Sequence, residues 1–384
     1  MLEFGEEQDF KYIVNIKVIG VGGGGNNAVK HMMNSDMKGI DFWVANTDSQ
    51  SLGSFNKEHR IYLGQNLTKG LGAGANPEIG KKAAEESEDA IKTALRGADM
   101  VFIAAGMGGG TGTGAAPVIA KIAKDLGALT VAVVTTPFGF EGAKRRAFAS
   151  EGLQELRPNV DSIIVVSNET LLQMFGNIPM GEAFTKANDI LTQSVRAITS
   201  LVSDKALINL DFADIRNIML DKGTAMIGMG KGFGDNKAKD AANLAISSPL
   251  LGSTLKGAKN AIVNITGGLT MTLQNANEAV ELVREAAGDN INIIFGVSID
   301  EHSQLSDRED DYMCVTVIAT EFSNANHSRI SLEPSLQPLV EPKPSVIDEL
   351  NVVTNNTTPH SDSFTEENDS VDIDFSLPSF LRRR

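Results

Sequence analysis

The sequence contains almost no cysteine, few aromatic side chains and no long apolar run. Cys314 is the only cysteine among 384 residues, which excludes an intrachain disulfide framework and a cysteine metal cluster. The longest apolar runs, such as ALTVAVV, fall far short of the roughly 20 residues that a membrane span requires. The acidic N-terminus, MLEFGEEQDF, does not resemble a signal peptide. We therefore expect a soluble cytoplasmic protein that does not insert directly into a membrane.

An excess of positive charge is also absent. The formal net charge is −15, whereas general nucleic-acid binders usually present a basic face. We therefore expect no nucleic-acid partner, and any bound polyanion must be held by backbone amides or a few placed cations. The hydrophobic content of 42% and charged content of 22% are typical of globular domains, so the chain can form a sizeable core.

From about residue 12, short apolar segments alternate with amphipathic helical ones. NIKVIG, DFWVAN, MVFIAAG, LTVAVVTTPF and SIIVVSN predict strands. The stretches between several of them, such as EIGKKAAEESEDAIKTAL and APVIAKIAKDLG, predict helices. Strands that are apolar on both faces indicate a parallel sheet covered on both sides. We therefore predict an α/β fold, in which a Rossmann-like parallel-sheet domain is joined by a long central helix to a smaller α/β domain.

Changes in composition divide the chain further. After about residue 321 it becomes rich in Pro, Ser, Thr, Asn and acid, which predicts a disordered linker. The closing DIDFSLPSFLRRR gathers apolar residues behind this linker, a pattern that favours a docking peptide that folds on binding. The predicted parts are an N-terminal extension 1–10, a nucleotide-binding domain 11–180, a central helix 181–204, a C-terminal α/β domain 205–320, a linker 321–370 and a docking tail 371–384.

The first glycine-rich loop, GVGGGGNN, has the GxGxxG spacing at Gly20, Gly22 and Gly25. Because it follows a strand and opens a helix, it is typical of a dinucleotide site and permits an NAD-dependent oxidoreductase. The acid expected at the end of the second strand is displaced to Asp48, and no hydride-transfer cluster is visible. A second and richer loop, GMGGGTGTG, follows MVFIAAG, and a dinucleotide fold does not require it.

Two such loops at the ends of parallel strands can converge on one polyphosphate. Glycine lets backbone N–H groups approach the oxygens, and helix N-termini supply a positive field. Thr111 and Thr113 add hydroxyl donors, and a third loop, GLGAGAN from Gly70 to Asn76, can close over the terminal phosphate. The pattern GxxxxGK[ST] is absent, so the sequence predicts phosphate binding by backbone amides and a metal ion rather than by a P-loop.

GMGGGTGTGAAPVIA resembles the tubulin-family signature GGGTGTG. Together with GVGGGGNNAV, NTDSQ, GAGANPEIG, PFGFEGAKRR, SNE and NLDFAD, the pattern resembles the FtsZ family of bacterial cell-division GTPases from about residue 15 to 320, and again in the tail. The resemblance implies GTP and GDP as ligands, Mg²⁺ as a cofactor and head-to-tail assembly into a homopolymer. The glycine-loop residues predicted to hold the nucleotide are Gly22, Gly23, Gly24, Asn26, Ala73, Gly74, Gly108, Gly109, Gly110, Thr111, Gly112, Thr113 and Gly114.

The resemblance also implies how the rest of the nucleotide is held. Asn168 and Asp189 would recognise guanine, on which Phe184 would stack, while Glu141 would bind the ribose and Arg145 the sugar or phosphate side. Four of these residues also have a purely structural alternative. Phe184 can be a core aromatic and Asn168 a turn residue at a strand end. Glu141 and Arg145 can form an i,i+4 ion pair on one helix face.

NLDFADIRNIML places Asp211 and Asp214 at a predicted helix start. Helix capping accounts for one acid more readily than for two. The resemblance implies that Asn209, Asp211 and Asp214 reach the γ-phosphate of the next subunit and position the attacking water, so that hydrolysis depends on assembly. If the acids are only caps, the protein is instead a nucleotide-bound scaffold that does not hydrolyse GTP.

Two other segments carry predictions. The resemblance implies that residues 371–384 dock onto membrane-tethering division proteins of the actin-like FtsA type, which would place the protein at the mid-cell division site. The glycine-rich MIGMGKGFGDNKAKD is interpreted as a strand–helix loop of the second domain and not as a further phosphate site.

Overall fold

A computed structural model of the chain describes residues 14–35, 37, 39–202, 207–208, 211–251, 255–288, 290–300 and 311–322. The predicted N-terminal extension 1–10 and the docking tail 371–384 lie outside these residues, as do Asn209 and the part of the predicted linker beyond residue 322. The last described strand extends through Phe322, two residues beyond the predicted end of the C-terminal domain.

The described secondary structure alternates strands and helices through its first half. The strands are β1 (Ile16–Val21), β2 (Ile40–Asn46), β3 (Arg60–Tyr62), β4 (Met100–Gly106), β5 (Leu129–Thr136), β6 (Ser162–Ser167), β7 (Gly223–Phe233), β8 (Ala258–Gly267), β9 (Asn292–Ile299) and β10 (Tyr312–Phe322). The helices are α1 (Gly22–Met33), α2 (Ser49–Leu52), α3 (Gln65–Thr68), α4 (Pro77–Glu86), α5 (Glu88–Leu95), α6 (Thr111–Asp125), α7 (Ala143–Leu156), α8 (Asn168–Phe175), α9 (Met180–Thr199), α10 (Phe212–Met219), α11 (Lys237–Ile246) and α12 (Leu273–Ala287).

The strands form one mostly parallel sheet in the order β3-β2-β1-β4-β5-β6-β7-β10-β8-β9. All neighbouring pairs from β3 to β7 are parallel, and β8 and β9 are also parallel, whereas β10 runs antiparallel to both β7 and β8. This arrangement confirms the predicted α/β class. The sequence did not reveal β3, whose three residues are too few to show an alternating pattern.

The central strands are buried on both faces. On β1, Val18 packs with α1 and α9 in one apolar cluster, while Ile19 packs with α4, α5, α6 and α7 in another. Successive side chains of a strand point to opposite faces, so the continuous apolar runs of the sequence correspond to strands covered on both sides. No described helix is both long enough and apolar enough to cross a bilayer.

Two helix predictions need correction. EIGKKAAEESEDAIKTAL forms two helices, because the chain bends at Ser87 between α4 and α5. The Ser87 hydroxyl accepts a hydrogen bond from Gly64 N at 2.9 Å and contacts Tyr62 O at 3.3 Å, which favours the break. Helix α6 begins at Thr111, inside the second glycine loop rather than after it.

The stretch interpreted as a loop, MIGMGKGF, is instead the body of β7. Its glycines Gly228, Gly230 and Gly232 share one face of the strand, and α11 lies directly against them. A Cβ atom at Gly230 would be 2.1 Å from Ala241 O, so only glycine permits this close approach. The glycine content thus reflects tight helix–strand packing and not a turn.

The Glu321 side chain connects β10 with residues at the ends of its two neighbouring strands, β7 and β8. From β10, its carboxylate contacts Lys222 Nζ at 2.8 Å and Lys259 Nζ at 2.6 Å, and it accepts a hydrogen bond from Asn260 Nδ2 at 3.0 Å. The two lysines lower the pKa of Glu321 from 4.5 to about 2. A carboxyl whose pKa is lower in the folded chain stabilises it above its unfolded pKa, and this contribution is lost as the pH falls toward 2.

We expect Glu321→Gln to lower the free energy of unfolding at pH 7 by about 1 kcal/mol, because solvent screens a partly exposed ion pair. The difference in free energy of unfolding between the variant and the unsubstituted protein should become smaller between pH 4.5 and pH 2, as the native carboxyl becomes protonated. Urea denaturation across this pH range measures that difference. Glu281→Gln, which breaks an exposed pair with Arg284, is the control. A difference that does not change with pH would contradict the account.

Candidate functional site

Two helix N-termini meet at one edge of the sheet. The strands β1 and β4 are parallel neighbours. β1 runs directly into α1, whose first turn is glycine-rich, and β4 leads into α6 through a glycine-rich loop. Gly22 adopts a φ of +70°, and a Cβ atom there would lie 2.8 Å from Gly112 N. Because both loops are in contact, the free N–H groups of α1 and α6 point into the same region. Such a region attracts anions.

A cavity of about 350 Å³ lies at this edge, a size within the range of small-molecule sites. The lining combines glycines and small polar groups on one side with Phe184 and neighbouring residues of α9 on the other. The residues that line it are Gly23, Gly24, Asn27, Gly106, Met107, Gly109, Gly110, Thr111, Gly112, Thr135, Thr136, Pro137, Glu141, Arg145, Asn168, Phe184, Ala187, Asn188 and Leu191.

The two threonines of the second loop have different surroundings. Thr111 lines the cavity, and its hydroxyl lies 2.7 Å from the hydroxyl of Thr47. Thr113 is buried, and its Oγ1 accepts a hydrogen bond from Gly108 N at 2.8 Å. The hydrogen bond between Gly108 and Thr113 therefore stabilises the loop internally. Gly114 permits close packing, since a Cβ atom there would be 1.9 Å from Pro77 O.

The third loop packs against the second. Its Gly72 N donates to Thr47 O at 3.1 Å, and its Gly70 O accepts from Ser49 N at 3.0 Å. Ala73 is buried, and a Cβ atom at Gly110 would lie 2.9 Å from its side chain. Neither Ala73 nor Gly74 is part of the cavity lining. This loop thus supports the glycine loop that faces the cavity.

Asp48, which follows β2, is explained by local structure. It is the N-cap of α2, where its carboxylate accepts hydrogen bonds from Gln50 N at 2.9 Å and from the Ser51 hydroxyl at 2.8 Å. An aspartate that caps a helix in this way has a sufficient local role. It gives no support to a ribose contact of the dinucleotide type.

Asn26 and Asn27 divide their roles within the first loop. Asn26 is buried, and with its amide correctly oriented it donates to Gly20 O at 2.8 Å and to Gly22 O at 3.1 Å. Asn27 lies in the cavity lining. Asn26 and Gly22 are predicted ligand contacts, but in the structure they shape the loop while Gly23, Gly24 and Asn27 face the cavity.

On α9, the face toward the cavity differs by one residue from the prediction. Phe184, Ala187, Asn188 and Leu191 line the cavity, and their spacing places them on one side of a helix. Asp189 lies about 100° further round, and its Oδ1 pairs with His31 Nε2 at 3.1 Å. The structure therefore places Asn188 in the cavity lining and Asp189 beside His31, and the guanine contact of Asp189 stays a prediction.

Asn168 and Phe184 have properties expected of ligand contacts. Asn168 is 7% exposed, and its Oδ1 has no hydrogen-bond partner within the described chain. A buried amide oxygen without a partner costs about 1–3 kcal/mol, so a ligand donor there is favourable. Phe184 is 46% exposed and packs edge-on against Phe138, with ring centroids 5.5 Å apart. Its exposure is too high for a core aromatic.

Glu141 and Arg145 satisfy both interpretations of their spacing. Arg145 Nη1 donates to Glu141 Oε2 at 2.5 Å, and both side chains line the cavity. Glu141 Oε1 also accepts a hydrogen bond from Phe138 N at 2.9 Å. Glu141 ends a short 3₁₀ turn, and Gly142 at a φ of +96° separates it from α7. The pair is thus formed across a helix start rather than along one helix face.

The two aspartates of the DFAD motif lie at α10, away from the cavity lining. Asp211 is the N-cap residue of α10 and Asp214 is in its first turn, and both are exposed. Within the described chain, the Asp211 side chain makes no capping hydrogen bond. Capping by this side chain therefore does not explain the motif, and both carboxylates are available to a second molecule.

The donor set tests whether Mg²⁺ fits this site. No group of three His, Cys, Asp or Glu side chains suited to a metal ion occurs in the described part of the chain. Glu141 is the one carboxylate of the cavity lining, and it is paired with Arg145. Mg²⁺ at nucleotide sites takes most of its ligands from phosphate oxygens and water, so the site fits a metal that arrives with the nucleotide.

Several lining residues were not predicted from the sequence. Thr135 and Thr136 end β5 and Pro137 follows it, while Gly106 ends β4 and Met107 follows it. Ligands of open α/β sheets bind outside the carboxyl ends of the strands, so the end of LTVAVVTTPF, next to β4, could have indicated them.

Comparisons with known proteins agree with this description. The family model of the Tubulin/FtsZ GTPase domain matches residues 15–176, and that of the FtsZ C-terminal domain matches residues 223–323. The chain is similar to an FtsZ dimer from M. jannaschii, with 41% identity over 81% of this chain and 89% of that chain and a TM-score of 0.76.

Two archaeal structures share the fold at lower identity. CetZ1 from Haloferax volcanii, a GDP-bound monomer, is 20% identical over 81% of this chain and 95% of that chain, with a TM-score of 0.67. CetZ2 from the same organism, in a GTPγS-bound protofilament, is 22% identical over 82% of this chain and 96% of that chain, with a TM-score of 0.66.

Proposed function

Because this chain belongs to the Tubulin/FtsZ family and carries its GTPase domain, we propose that it is a self-assembling cytoskeletal GTPase of bacterial cell division. It polymerises head to tail into filaments that form the division ring at the septum, and it hydrolyses GTP at the subunit interfaces. The observation that carries this proposal is the meeting of two glycine-loop helix N-termini, α1 and α6, at one cavity.

The phosphates of GTP occupy the glycine end of the cavity. Backbone N–H groups near Gly23, Gly109 and Gly110 supply donors, and the Thr111 hydroxyl adds another. Donors fixed by the fold need no rearrangement when an anion binds. When bound, Mg²⁺ would neutralise part of the phosphate charge, and the Thr111 hydroxyl oxygen would be one of the groups that hold it.

The guanine base occupies the α9 end. Phe184 offers an exposed ring for stacking, and the amides of Asn168 and Asn188 offer donors and acceptors that suit the N1–H, N2–H₂ and O6 groups of guanine. Glu141 and Arg145 lie between the two ends, where they contact the ribose and its phosphates.

The attacking water is positioned by a second subunit. Asp211 and Asp214 are exposed and are not part of the cavity lining of their own chain, so a head-to-tail contact can bring them to the γ-phosphate of a neighbour. With Asn209 they orient the water and accept its proton. Such a contact does not close on itself and therefore produces an open filament. Loss of the γ-phosphate then weakens the interface.

The remaining parts of the proposal concern cellular context. Residues 371–384 dock onto a membrane-tethering division protein of the FtsA type, which places the filaments at mid-cell in the cytoplasm. The apolar residues of SFL followed by three arginines support a docking peptide.

The two alternative functions receive less support. An NAD-dependent oxidoreductase would need an acid on the ribose, whereas Asp48 caps α2. A scaffold without hydrolysis would need Asp211 and Asp214 to serve only as caps, whereas the Asp211 side chain forms no capping hydrogen bond within the described chain.

We expect Phe184→Ala to weaken GTP binding about tenfold, because stacking of a base on an aromatic ring contributes about 1–3 kcal/mol. Equilibrium titration with a fluorescent GTP analogue, competed by GTP, ATP and NADH, measures both affinity and selectivity. The unsubstituted protein should prefer GTP to ATP and NADH. Phe233→Ala, which removes an aromatic ring 52% exposed elsewhere on the chain, is the control. Preferential binding of NADH would overturn the proposed function.

A further inference from the structure

His31 lies between the helix that begins at the phosphates and the helix that carries the base contacts. It belongs to the last turn of α1, and it faces α9. Its Nε2 lies 3.1 Å from Asp189 Oδ1, and its Nδ1 lies 3.2 Å from Thr192 Oγ1. Neither His31 nor Asp189 belongs to the cavity lining.

The hydrogen-bond pattern sets the direction of the bond between His31 and Thr192. Thr192 Oγ1 donates its single proton to Asn188 O at 2.8 Å, because a carbonyl oxygen can only accept. His31 Nδ1 must therefore be the donor to Thr192. On the other side of the ring, Nε2 lies 3.1 Å from Asp189 Oδ1, so His31 contacts two residues of α9.

The contacts converge on one turn of α9. Thr192 binds the carbonyl of Asn188, and Asp189 is the residue after Asn188. One turn before His31 on α1, Asn27 lines the cavity, and on α9 Asn188 lines it from the facing side. His31 therefore connects two helices at a point one turn behind two residues that face the cavity.

We propose that His31 is a positioning residue for recognition of the guanine base. It holds the 188–192 turn of α9 against α1 and so fixes the Asn188 side chain relative to Asn27. This proposal rests on the proposed function, because it assumes that the α9 end of the cavity binds the base. The glycine loops that bind the phosphates lie at the other end of α1 and do not depend on this contact.

The test measures two ligands with the full-length protein. One is GTP, and the other is inorganic tripolyphosphate, which has the phosphates without the base. We expect His31→Gln to weaken GTP binding about fivefold, the size expected for loss of one hydrogen bond, and to leave tripolyphosphate binding unchanged. Asp189→Asn should weaken GTP similarly, and the double variant should be no weaker than either single one, because both changes remove one interaction.

A second histidine separates positioning at the base from a general effect of losing a histidine–aspartate contact. His59→Gln is the matched control, because His59 also pairs with an aspartate, Asp41, at 3.2 Å, and neither residue lines the cavity. It should behave like the unsubstituted protein.

The outcomes are distinguishable. Equal weakening of GTP and tripolyphosphate by His31→Gln, or unchanged binding of both, would overturn the positioning role while leaving the proposed function intact. Failure of the unsubstituted protein to bind GTP at any pH would instead overturn the proposed function.

Discussion

Asp214→Ala is expected to bind GTP with unchanged affinity and to lose GTP turnover by about a hundredfold to a thousandfold. The proposed role of Asp214 is to orient water and accept its proton at the neighbour's γ-phosphate, and a positioned acid or base contributes about 10²–10⁴-fold. Because Asp214 is not part of the cavity lining of its own chain, the substitution leaves the nucleotide contacts in place. Turnover is measured as phosphate release at a protein concentration that supports assembly.

Asp240→Ala is the matched control for this prediction. Asp240 is likewise an exposed aspartate in the first turn of a helix. That helix is α11, which packs against β7. Both substitutions remove an acid that interacts favourably with a helix N-terminus, so both should lower stability by a similar, small amount. Asp240→Ala should keep normal turnover. If Asp214→Ala also hydrolysed GTP normally, the catalytic role of this acid would be excluded.

Gly109→Ala is expected to weaken GTP binding by about tenfold to a hundredfold without loss of folding. Gly109 lines the cavity, and a Cβ atom there would meet no other atom within 4 Å. The added methyl group therefore projects into open space and obstructs the approach of phosphate oxygens to backbone N–H groups. Loss of a hydrogen bond to a charged group corresponds to about 1.5–3 kcal/mol.

Gly181→Ala provides the control for the glycine substitution. Gly181 lies in α9, has equally open surroundings and does not line the cavity. Both variants should retain or slightly raise the thermal midpoint, since alanine reduces the freedom of the unfolded chain. Titration with a fluorescent GTP analogue measures the affinities. An unaltered affinity for Gly109→Ala would mean that the phosphates do not lie against this loop.

Much of the fold was predictable because the central strands are buried on both faces. The run MVFIAAG leads directly from β4 into the second glycine loop, and its apolar character alone indicates a covered parallel strand. β7 was harder to interpret. Its glycines weaken the strand pattern, and the reason for them is the close approach of α11. This packing of the following helix back onto the strand does not appear in the periodicity of the strand itself.

The site was predictable at the level of loops but less so at the level of side chains. The glycine motifs indicated the glycine-rich end of the cavity, since backbone geometry demands glycine at Gly22. The sequence could not show whether Asn188 or Asp189 lines the cavity, because this depends on the rotation of the helix about its axis. Packing of α9 against α1 fixes that rotation, and a local sequence motif contains no information about it.

The dependence of GTP turnover on protein concentration tests the central claim most directly. If Asp211 and Asp214 act on the nucleotide of a neighbouring subunit, each chain holds only half of the catalytic site. Phosphate release per molecule should then fall toward zero below a critical protein concentration and rise to a constant value above it, while GTP binding persists throughout. A rate per molecule that does not change with protein concentration would contradict the shared site.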